Sequence, residues 1–267
     1  MKKAIGCVMT TALLLAGSAW GSLIADDNGG NYSSWGTDGD QGGSGFSPWT
    51  FKSQVGGGGG FAGYYLAQGA GFTNWAMYAN QAQLGGQPQA VAYREFTGGA
   101  LAVGQTFNVR FYNEQVNYSG GSVGFTIRNG NATNSAADYN TSSRFEFSFL
   151  NGATNYYVYD DSGTFHTAIP LQNTGLDLRF TLTGADSYNL QVVELATGTT
   201  NSFNGRTLGG TSGQGLDSVA LYNRFAGNGA DEGNIRFDNM SVIPEPGTLA
   251  MLAFATAGLI TFLRRRR

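Results

Sequence analysis

Three kinds of side chain in this 267-residue chain are suited to chemistry: scattered carboxylates, a single histidine and clustered aromatics. Hydrolysis of a glycosidic bond needs two carboxyl groups about 5–10 Å apart. The glutamate candidates are Glu95, Glu114, Glu146 and Glu194. Glu146 lies between two phenylalanines, which predicts that it points outward from a strand as a solvated carboxylate. His166 follows a turn, and we interpret it as an ordinary strand residue and not as part of a Ser-His-Asp triad. No catalytic residue is therefore predicted.

Aspartate-rich turns offer a second kind of chemistry. Carboxylate oxygens on flexible loops are ligands that Ca²⁺ prefers. The candidate ligands, in two Asp- and Gly-containing clusters, are Asp38, Asp40, Asp160 and Asp161. Neither cluster has the spacing of an EF-hand loop, and such clusters also form plain turns. Calcium is thus the one cofactor for which the sequence offers candidates, with plain turns as the alternative.

Aromatic side chains offer a third kind, because flat rings stack on sugar rings. The candidates for carbohydrate stacking are Trp35, Trp49, Tyr157 and Tyr159. Tyr157 and Tyr159 share one face of a strand, so we expect one set of tyrosines in this run to be exposed. The alternative is packing in the core or between neighbouring strands. Stacking would make the chain a polysaccharide-binding protein, whereas the rival hypothesis is a glycan-active hydrolase or lyase.

Short β-strands are the elements predicted to position these side chains. Apolar residues alternate with a period of two in runs between residues 107 and 240, and turn clusters rich in Asn, Asp and Gly separate the runs. The apolar sets are Phe107, Val109, Phe111; Val123, Phe125, Ile127; Phe145, Phe147, Phe149; Leu176, Leu178, Phe180, Leu182; Tyr188, Leu190, Val192; Val219, Leu221; and Ile235, Phe237, Met240. No helical stripe is apparent, and residues 74–90 are the one doubtful stretch. We predict an all-β fold, a single antiparallel β-sandwich of the jelly-roll type.

Composition indicates an acidic body without disulfides. Residues 22–243, which remain when the predicted targeting segments are removed, are enough for one sandwich domain. Cys7 is the only cysteine and lies before residue 22, so the body has no disulfide and no thiolate site. The chain from Asp26 to Glu245 contains 18 acidic and nine basic residues, a net charge of −9. Such a body repels nucleic acid and anionic lipid surfaces, and neither is an expected partner.

The N-terminus has the three-part pattern of a secretory signal. A basic start at Lys2 and Lys3 precedes an apolar run, and small residues predict a cut after Gly21. A cut after Ala25 is the second choice. We therefore predict residues 1–21 to be a signal peptide that directs the chain to the export machinery.

The C-terminus combines three parts in a fixed order. They are the motif Pro244, Glu245, Pro246, an uncharged stretch over residues 248–263, and the cluster Arg264, Arg265, Arg266, Arg267. A helix of that length spans roughly 24 Å, which is short of the hydrocarbon core of about 30 Å. The basic cluster is expected to stay on the cytoplasmic side. The body is then exported while the precursor is anchored in the inner membrane, at least transiently.

These C-terminal parts resemble the PEP-CTERM sorting signal of Gram-negative bacteria. The resemblance implies that an exosortase recognises Pro244, Glu245 and Pro246, that the helix is a temporary anchor and that the arginines are a stop. A permanent single-span anchor is the alternative. The predicted organisation is a signal peptide (1–21), a β-sandwich (22–243) and a sorting signal (244–267) with a transmembrane helix over residues 248–263.

The body resembles the concanavalin-like or lectin-type jelly rolls. The patterns that carry this resemblance are Phe46–Trp49, Ala92–Phe96, the strand through Tyr188, and Arg236–Val242. Laminarinase-type jelly rolls carry a Glu-x-Asp-x-x-Glu motif on one strand, and this sequence has none. We therefore predict a non-enzymatic protein of the cell surface or extracellular matrix, with exopolysaccharide as its candidate partner.

Overall fold

The computed structural model describes residues 24–55, 60–69, 72–80, 86–130, 133–227 and 235–244. The predicted signal peptide and transmembrane helix lie outside these residues. Within the described ranges, no helix has the length and apolar character needed to cross a bilayer. The strands are β1 (Ala25–Asp27), β2 (Thr50–Gln54), β3 (Phe61–Gly69), β4 (Phe72–Asn80), β5 (Gln89–Glu95), β6 (Thr106–Asn113), β7 (Ser122–Arg128), β8 (Ser143–Leu150), β9 (Asn155–Asp160), β10 (Gly163–Pro170), β11 (Leu176–Gly184), β12 (Ser187–Glu194), β13 (Thr200–Thr207), β14 (Ser218–Arg224) and β15 (Ile235–Ile243).

These strands form two antiparallel sheets with the core between them, which confirms the predicted β-sandwich. The eight-stranded sheet has the order β13-β12-β11-β6-β15-β4-β3, and β1 pairs with β15. The seven-stranded sheet has the order β10-β9-β8-β7-β14-β5-β2. Strands that neighbour each other, such as β6 and β15, come from distant parts of the chain, as in a jelly roll.

Alternation within each strand builds the core. Phe107 and Phe111 of the eight-stranded sheet lie against Phe125 and Phe147 of the seven-stranded sheet, with ring centroids 6.2 and 6.0 Å apart. Full burial of such a side chain contributes roughly 1.5–3 kcal/mol. All the apolar sets predicted from the period of two lie in this core, so their assignment to strand faces is confirmed.

A β-bulge explains why one predicted set breaks the period of two. Phe237 and Met240 are both fully buried although three positions separate them. Asn239 has φ of 49°, and the register of β15 against β6 shifts between Asp238 and Ser241. The extra residue of the bulge returns Met240 to the core face.

The doubtful stretch over residues 74–90 contains the end of β4 and the start of β5. Most of β4 is buried on both faces, and a 3-10 turn over Gly29–Asn31 packs against the start of the strand. A Cβ at Gly29 would lie 2.2 Å from the carbonyl oxygen of Thr73, so only glycine permits this approach. A strand covered on both faces loses the alternation that marks a half-buried strand.

Both ends of the body meet at β15. Ala25 is paired with Val242 in register, and the backbone N–H of Ile24 donates to the carbonyl of Val242 at 2.9 Å. Ala25 is itself buried, so a leader cut after Gly21 leaves β1 whole, whereas a cut after Ala25 would remove its first residue. Residues 22–243 contain every strand of the described sandwich.

Candidate functional site

The candidate site lies on the outer face of the seven-stranded sheet, the side away from the core. The connection between β7 and β8 folds back over this face and forms a 3-10 turn over Ala136–Asn140. Its apolar residues pack on outward side chains of β5 and β14 and form a second, small core. The members of this core are Val91, Tyr93, Ala136, Tyr139, Ala220 and Tyr222.

Local hydrogen bonds hold the turn in place. Ser135 and Asp138 form a capping box, in which the backbone N–H of Ser135 donates to the Asp138 carboxylate at 2.8 Å. Thr126 Oγ1 donates to the carbonyl of Tyr139 at 2.9 Å, and the Tyr93 hydroxyl donates to the carbonyl of Ser135 at 2.7 Å. The covering segment is thus anchored to two strands of the sheet.

A cavity of about 420 Å³ opens beside the covering segment. Its lining combines carboxyl, guanidinium and phenol groups. These groups belong to Tyr139, Arg144, Glu146, Tyr159, Asp160 and Arg224. We call this cavity, together with the adjacent ring of Tyr157, the tyrosine cleft.

Glu146 reaches the tyrosine cleft from β8. It faces outward, as its position between two core phenylalanines predicts, but it is half-buried and not fully solvated as the sequence suggested. Burial raises the pKa of Glu146, and the hydrogen bond from Tyr222 and the positive charge of Arg224 oppose this effect. The Tyr222 hydroxyl donates to Glu146 Oε1 at 2.6 Å. A carboxyl group with a raised pKa in a cavity is a candidate functional group.

Arg224 and Tyr139 form another polar part of the cleft. Arg224 Nη1 donates to the Tyr139 hydroxyl at 2.9 Å, and the guanidinium carbon lies 5.0 Å from the ring centroid. Burial raises the pKa of Tyr139 to about 12, so the phenol is neutral at pH 7. The cleft therefore combines a cation with phenol and carboxyl groups that exchange hydrogen bonds.

Tyr157 and Tyr159 bring two rings to the outer face, as the sequence predicts. The rings are nearly parallel, at 19°, with centroids 6.3 Å apart, and both side chains are half-buried. His166 lies in β10 as an ordinary strand residue, and its ring centroid is 4.4 Å from that of Tyr157. A row of rings thus leads from the cavity to the edge of the sheet.

Trp35 and Trp49 do not belong to this surface. They are 4% and 1% exposed and pack edge to face at 5.5 Å in the core. The Trp49 indole N–H donates to the Tyr32 hydroxyl at 3.0 Å. No sugar ring can reach either indole in the folded protein, so the prediction that these two residues stack on carbohydrate is wrong. The loop that carries them is polar in composition, yet it folds against the sandwich.

The first predicted calcium cluster is held by donors of the protein. Asp38 accepts a hydrogen bond from the backbone N–H of Phe51 at 2.6 Å and lies 3.6 Å from the Lys52 ammonium. Asp40 accepts two backbone N–H groups of its own turn. In the part of the chain that the structure covers, no three His, Cys, Asp or Glu residues converge as a metal site. Calcium binding stays a prediction.

Asp160, in the second cluster, pairs with side chains of the eight-stranded sheet. Its Oδ2 accepts hydrogen bonds from the Tyr188 hydroxyl at 2.7 Å and Arg206 Nε at 2.6 Å, and its side chain is fully buried. Since Tyr159 faces outward, alternation directs Asp160 inward, while Asp161 is exposed in the following turn. The Asp160 carboxylate is therefore already engaged by a phenol and a guanidinium group of the eight-stranded sheet.

The other glutamate candidates are dispersed. Glu114 forms an ion pair with Arg236 on the eight-stranded sheet, and Glu194 accepts a hydrogen bond from Asn201 at 2.8 Å. Glu95 lines a second cavity of about 380 Å³, which also includes Arg128. The structure brings none of them to the tyrosine cleft.

Sequence reasoning missed the burial of Glu146 because strand alternation shows which face a residue is on and not what covers that face. One local signal was available. Ser135 and Asp138 have the spacing of a capping box, and they flank Ala136 and Ala137 in a connection rich in Asn, Ser and Thr. The apolar residues of such a connection need a surface to pack on, and here that surface is the outer face of the seven-stranded sheet.

We expect Glu146→Gln to stabilise the body at pH 7. The folded state binds the Glu146 proton more tightly than the unfolded state does, because burial raises the pKa. Stability therefore falls as pH rises from the ordinary glutamate pKa of about 4.3 through the raised value. Glutamine still accepts the Tyr222 hydrogen bond and has no charge to bury.

Urea midpoints of the two proteins from about pH 4 to about pH 8 measure this difference. The gain should shrink toward low pH, where Glu146 is neutral in both states. Glu114→Gln, at the more exposed Arg236 ion pair, is the control and should give no such gain. A Glu146→Gln protein less stable than the wild type at pH 7 would contradict the expectation.

The tail is identified by comparison with known families. Pro244 directly follows β15, and Glu245, Pro246 and the terminal arginines lie outside the described residues. Residues 242–267 match the model of the PEP-CTERM protein-sorting motif. The chain carries a PEP-CTERM sorting motif. This result confirms the resemblance stated for the tail. A PEP-CTERM motif indicates a sorted, exported protein and implies processing by an exosortase.

Beyond the tail, the chain has weak similarity to solved structures. No curated protein matched its sequence. Similar solved structures include the calreticulin globular domain of T. cruzi (TM-score 0.47, 9% identity, 80% of this chain and 90% of that chain) and lectin II from Ulex europaeus (0.40, 9%, 80% and 98%). The alginate lyase vAL-1 from Chlorella virus is another (0.42, 13%, 73% and 93%). Likenesses at these TM-scores say nothing about what this chain binds.

Proposed function

We propose that this PEP-CTERM protein is a non-enzymatic component of the cell surface or extracellular matrix that binds polysaccharide in the tyrosine cleft. The observation that carries the proposal is the pair of nearly parallel, half-exposed rings of Tyr157 and Tyr159 beside a polar cavity. Flat rings offer apolar area to sugar faces, and the groups in the cavity offer hydrogen bonds to hydroxyls.

The shape of the site fits a chain of sugars better than a single small ligand. The row of rings continues from Tyr159 through Tyr157 to His166 at the edge strand β10. A polymer can therefore lie across the outer face while one unit enters the cavity. The phenols and Arg224 are already held by mutual contacts, so little ordering is needed on binding.

We expect Tyr157→Ala and Tyr159→Ala each to weaken binding of polysaccharide by about fivefold. Loss of one stacking contact corresponds to about 1 kcal/mol, and 1.4 kcal/mol is a tenfold change in Kd. Retention of residues 22–243 on columns of the organism's own exopolysaccharide, followed by calorimetry, measures the change.

Tyr112→Ala is the matched control, since Tyr112 is a half-buried tyrosine on the outer face of the other sheet. Its affinity should equal that of the wild type. If the wild-type body is not retained on any exopolysaccharide, the polysaccharide proposal fails and a structural role takes its place.

A glycan-active hydrolase or lyase is the second candidate. The Glu146 carboxyl group in the cleft favours it, because a carboxyl group whose pKa is raised by burial is a candidate general acid. Incubation of the body with the retained polysaccharide, with assays for new reducing ends and for unsaturated products, distinguishes the two functions. Products that the wild type forms and the Glu146→Gln protein does not form would replace the binding proposal with an enzymatic one.

A further inference from the structure

Strand β3 is an end strand of the eight-stranded sheet, remote in topology from the tyrosine cleft. It pairs with β4 in continuous register from Phe61 to Gly69, and the part of the chain that the structure covers contains no strand on its other side. A long edge strand presents a row of backbone donors and acceptors that another strand can join.

The sequence around β3 lacks the features that keep edge strands apart. Residues 53–93 contain no Asp, Glu, Lys or Arg, although the chain from Asp26 to Glu245 contains 27 charged residues in all. This uncharged stretch includes β2 from its fourth residue, all of β3 and β4, and most of β5. Proline and bulges are the other usual protections of an edge, and β3 has neither.

The other three end strands are each protected. β13 carries Arg206 beside Gly205 at φ 66°, and its register against β12 shifts. β10 carries Pro170 and has a register shift. β2 is five residues long and carries Lys52. Among the strands that end the two sheet orders, β3 is thus both the longest and the one without such protection in the described structure. The strand β1, which pairs with β15 outside these orders, is three residues long.

The outer side of the β3–β4 hairpin also presents aromatic surface. The Tyr78 ring lies 5.9 Å from Phe61 and 6.2 Å from Tyr65, on the face opposite the core. Phe61 and Phe72, at the two ends of the hairpin, are exposed by 39% and 45%. An apolar patch beside an unprotected edge is typical of an interaction surface.

We propose that β3 pairs antiparallel with β3 of a second copy of this chain and joins two eight-stranded sheets into one. A second copy fits because a twofold axis sets the same neutral strand against itself and extends the aromatic patch across the junction. The chain from Asp26 to Glu245 carries a net charge of −9, so two copies repel each other least at this edge. The pairing gives each assembly two tyrosine clefts, but it does not depend on what the cleft binds.

Ala67→Lys tests the proposal. Ala67 lies on β3 on the same face as Tyr65, and a lysine there brings two positive charges to the twofold junction. The exported protein, purified from cells that express the full chain, should sediment as a dimer at micromolar concentration. The Ala67→Lys protein should dimerise at least tenfold more weakly, with an unchanged circular dichroism spectrum.

Asn204→Lys, on the exposed edge of β13, adds the same charge and is the matched control. This variant should remain dimeric.

Cysteine cross-linking gives a second readout, which detects association directly. Single introduced cysteines are suitable because Cys7, in the predicted signal peptide, is the only natural cysteine. Opposed residues of paired strands are within disulfide range. Cysteine at one of the positions Gly63, Tyr65 or Ala67 should form a disulfide-linked dimer, and cysteine at Ser202 on β13 should not.

A wild-type protein that sediments as a monomer, or cysteines on β3 that cross-link no more than the one at Ser202, would overturn the proposal. Equal weakening by Ala67→Lys and Asn204→Lys would also overturn it, since the effect would then come from charge alone. None of these outcomes bears on polysaccharide binding by the tyrosine cleft, which is measured separately.

Discussion

Asp27→Ala should lower the free energy of unfolding by about 3–5 kcal/mol, as removal of one partner of a buried ion pair does. The Asp27 carboxylate pairs with the Arg94 guanidinium, and both side chains are 0% exposed. Arg94 also donates to Gln41 Oε1 at 2.9 Å and lies 4.7 Å from the ring centroid of Trp49. The variant leaves a buried cation without its counter-ion. Urea denaturation followed by circular dichroism measures the loss.

The same protein provides a control for this loss. Asp177 and Arg110 form a two-point ion pair at 2.6 and 3.1 Å, but their side chains are 28% and 29% exposed. Asp177→Ala should therefore cost about 0–1 kcal/mol. The double variant Asp27→Ala, Arg94→Leu should recover part of the loss, because no unpaired charge remains. A loss for Asp27→Ala as small as that for Asp177→Ala would disprove the importance of the buried pair.

Trp49→Ala should cost a similar amount, about 3–5 kcal/mol, because it leaves a large cavity in the core. The indole packs edge to face against Trp35 at 5.5 Å and against Trp75 at 5.3 Å. It also lies under the Arg94 guanidinium, so its loss removes packing from the buried ion pair. Urea denaturation measures this change too.

Trp49→Phe is the matched variant, since it keeps an aromatic ring and removes less volume. It should lose clearly less stability than Trp49→Ala. In conditions where Trp49→Ala remains folded, its affinity for polysaccharide should equal that of the wild type. Lower affinity with unchanged stability would restore the interpretation of Trp49 as a stacking residue.

The strand faces could be predicted from sequence because alternation is a local property. Phe145 and Phe147 point into the core, and Glu146 points out, whichever strands lie beside β8. For the same reason Tyr157 and Tyr159 could be placed together on one face. The sorting tail was also readable, since its order of motif, apolar stretch and arginines needs no fold to be recognised.

The surroundings of these faces could not be predicted, because they depend on segments distant in the chain. Trp35 and Trp49 lie in a stretch whose composition is that of an exposed loop. Both are nevertheless buried, and Arg94 of β5 contacts this part of the chain through hydrogen bonds to Ser47 and Gln41. Composition reports local preference, whereas burial is decided by contacts formed across many residues.

The sequence by itself thus determined that this protein is an exported all-β chain with a sorting tail, an acidic body and no disulfide. Tertiary structure alone decided that Glu146 is half-buried, that Asp160 pairs with Tyr188 and Arg206 and that the uncharged strand β3 lies at an edge. The physical reason is that alternation assigns each side chain to a face, while long-range pairing of strands decides what that face and each edge will meet.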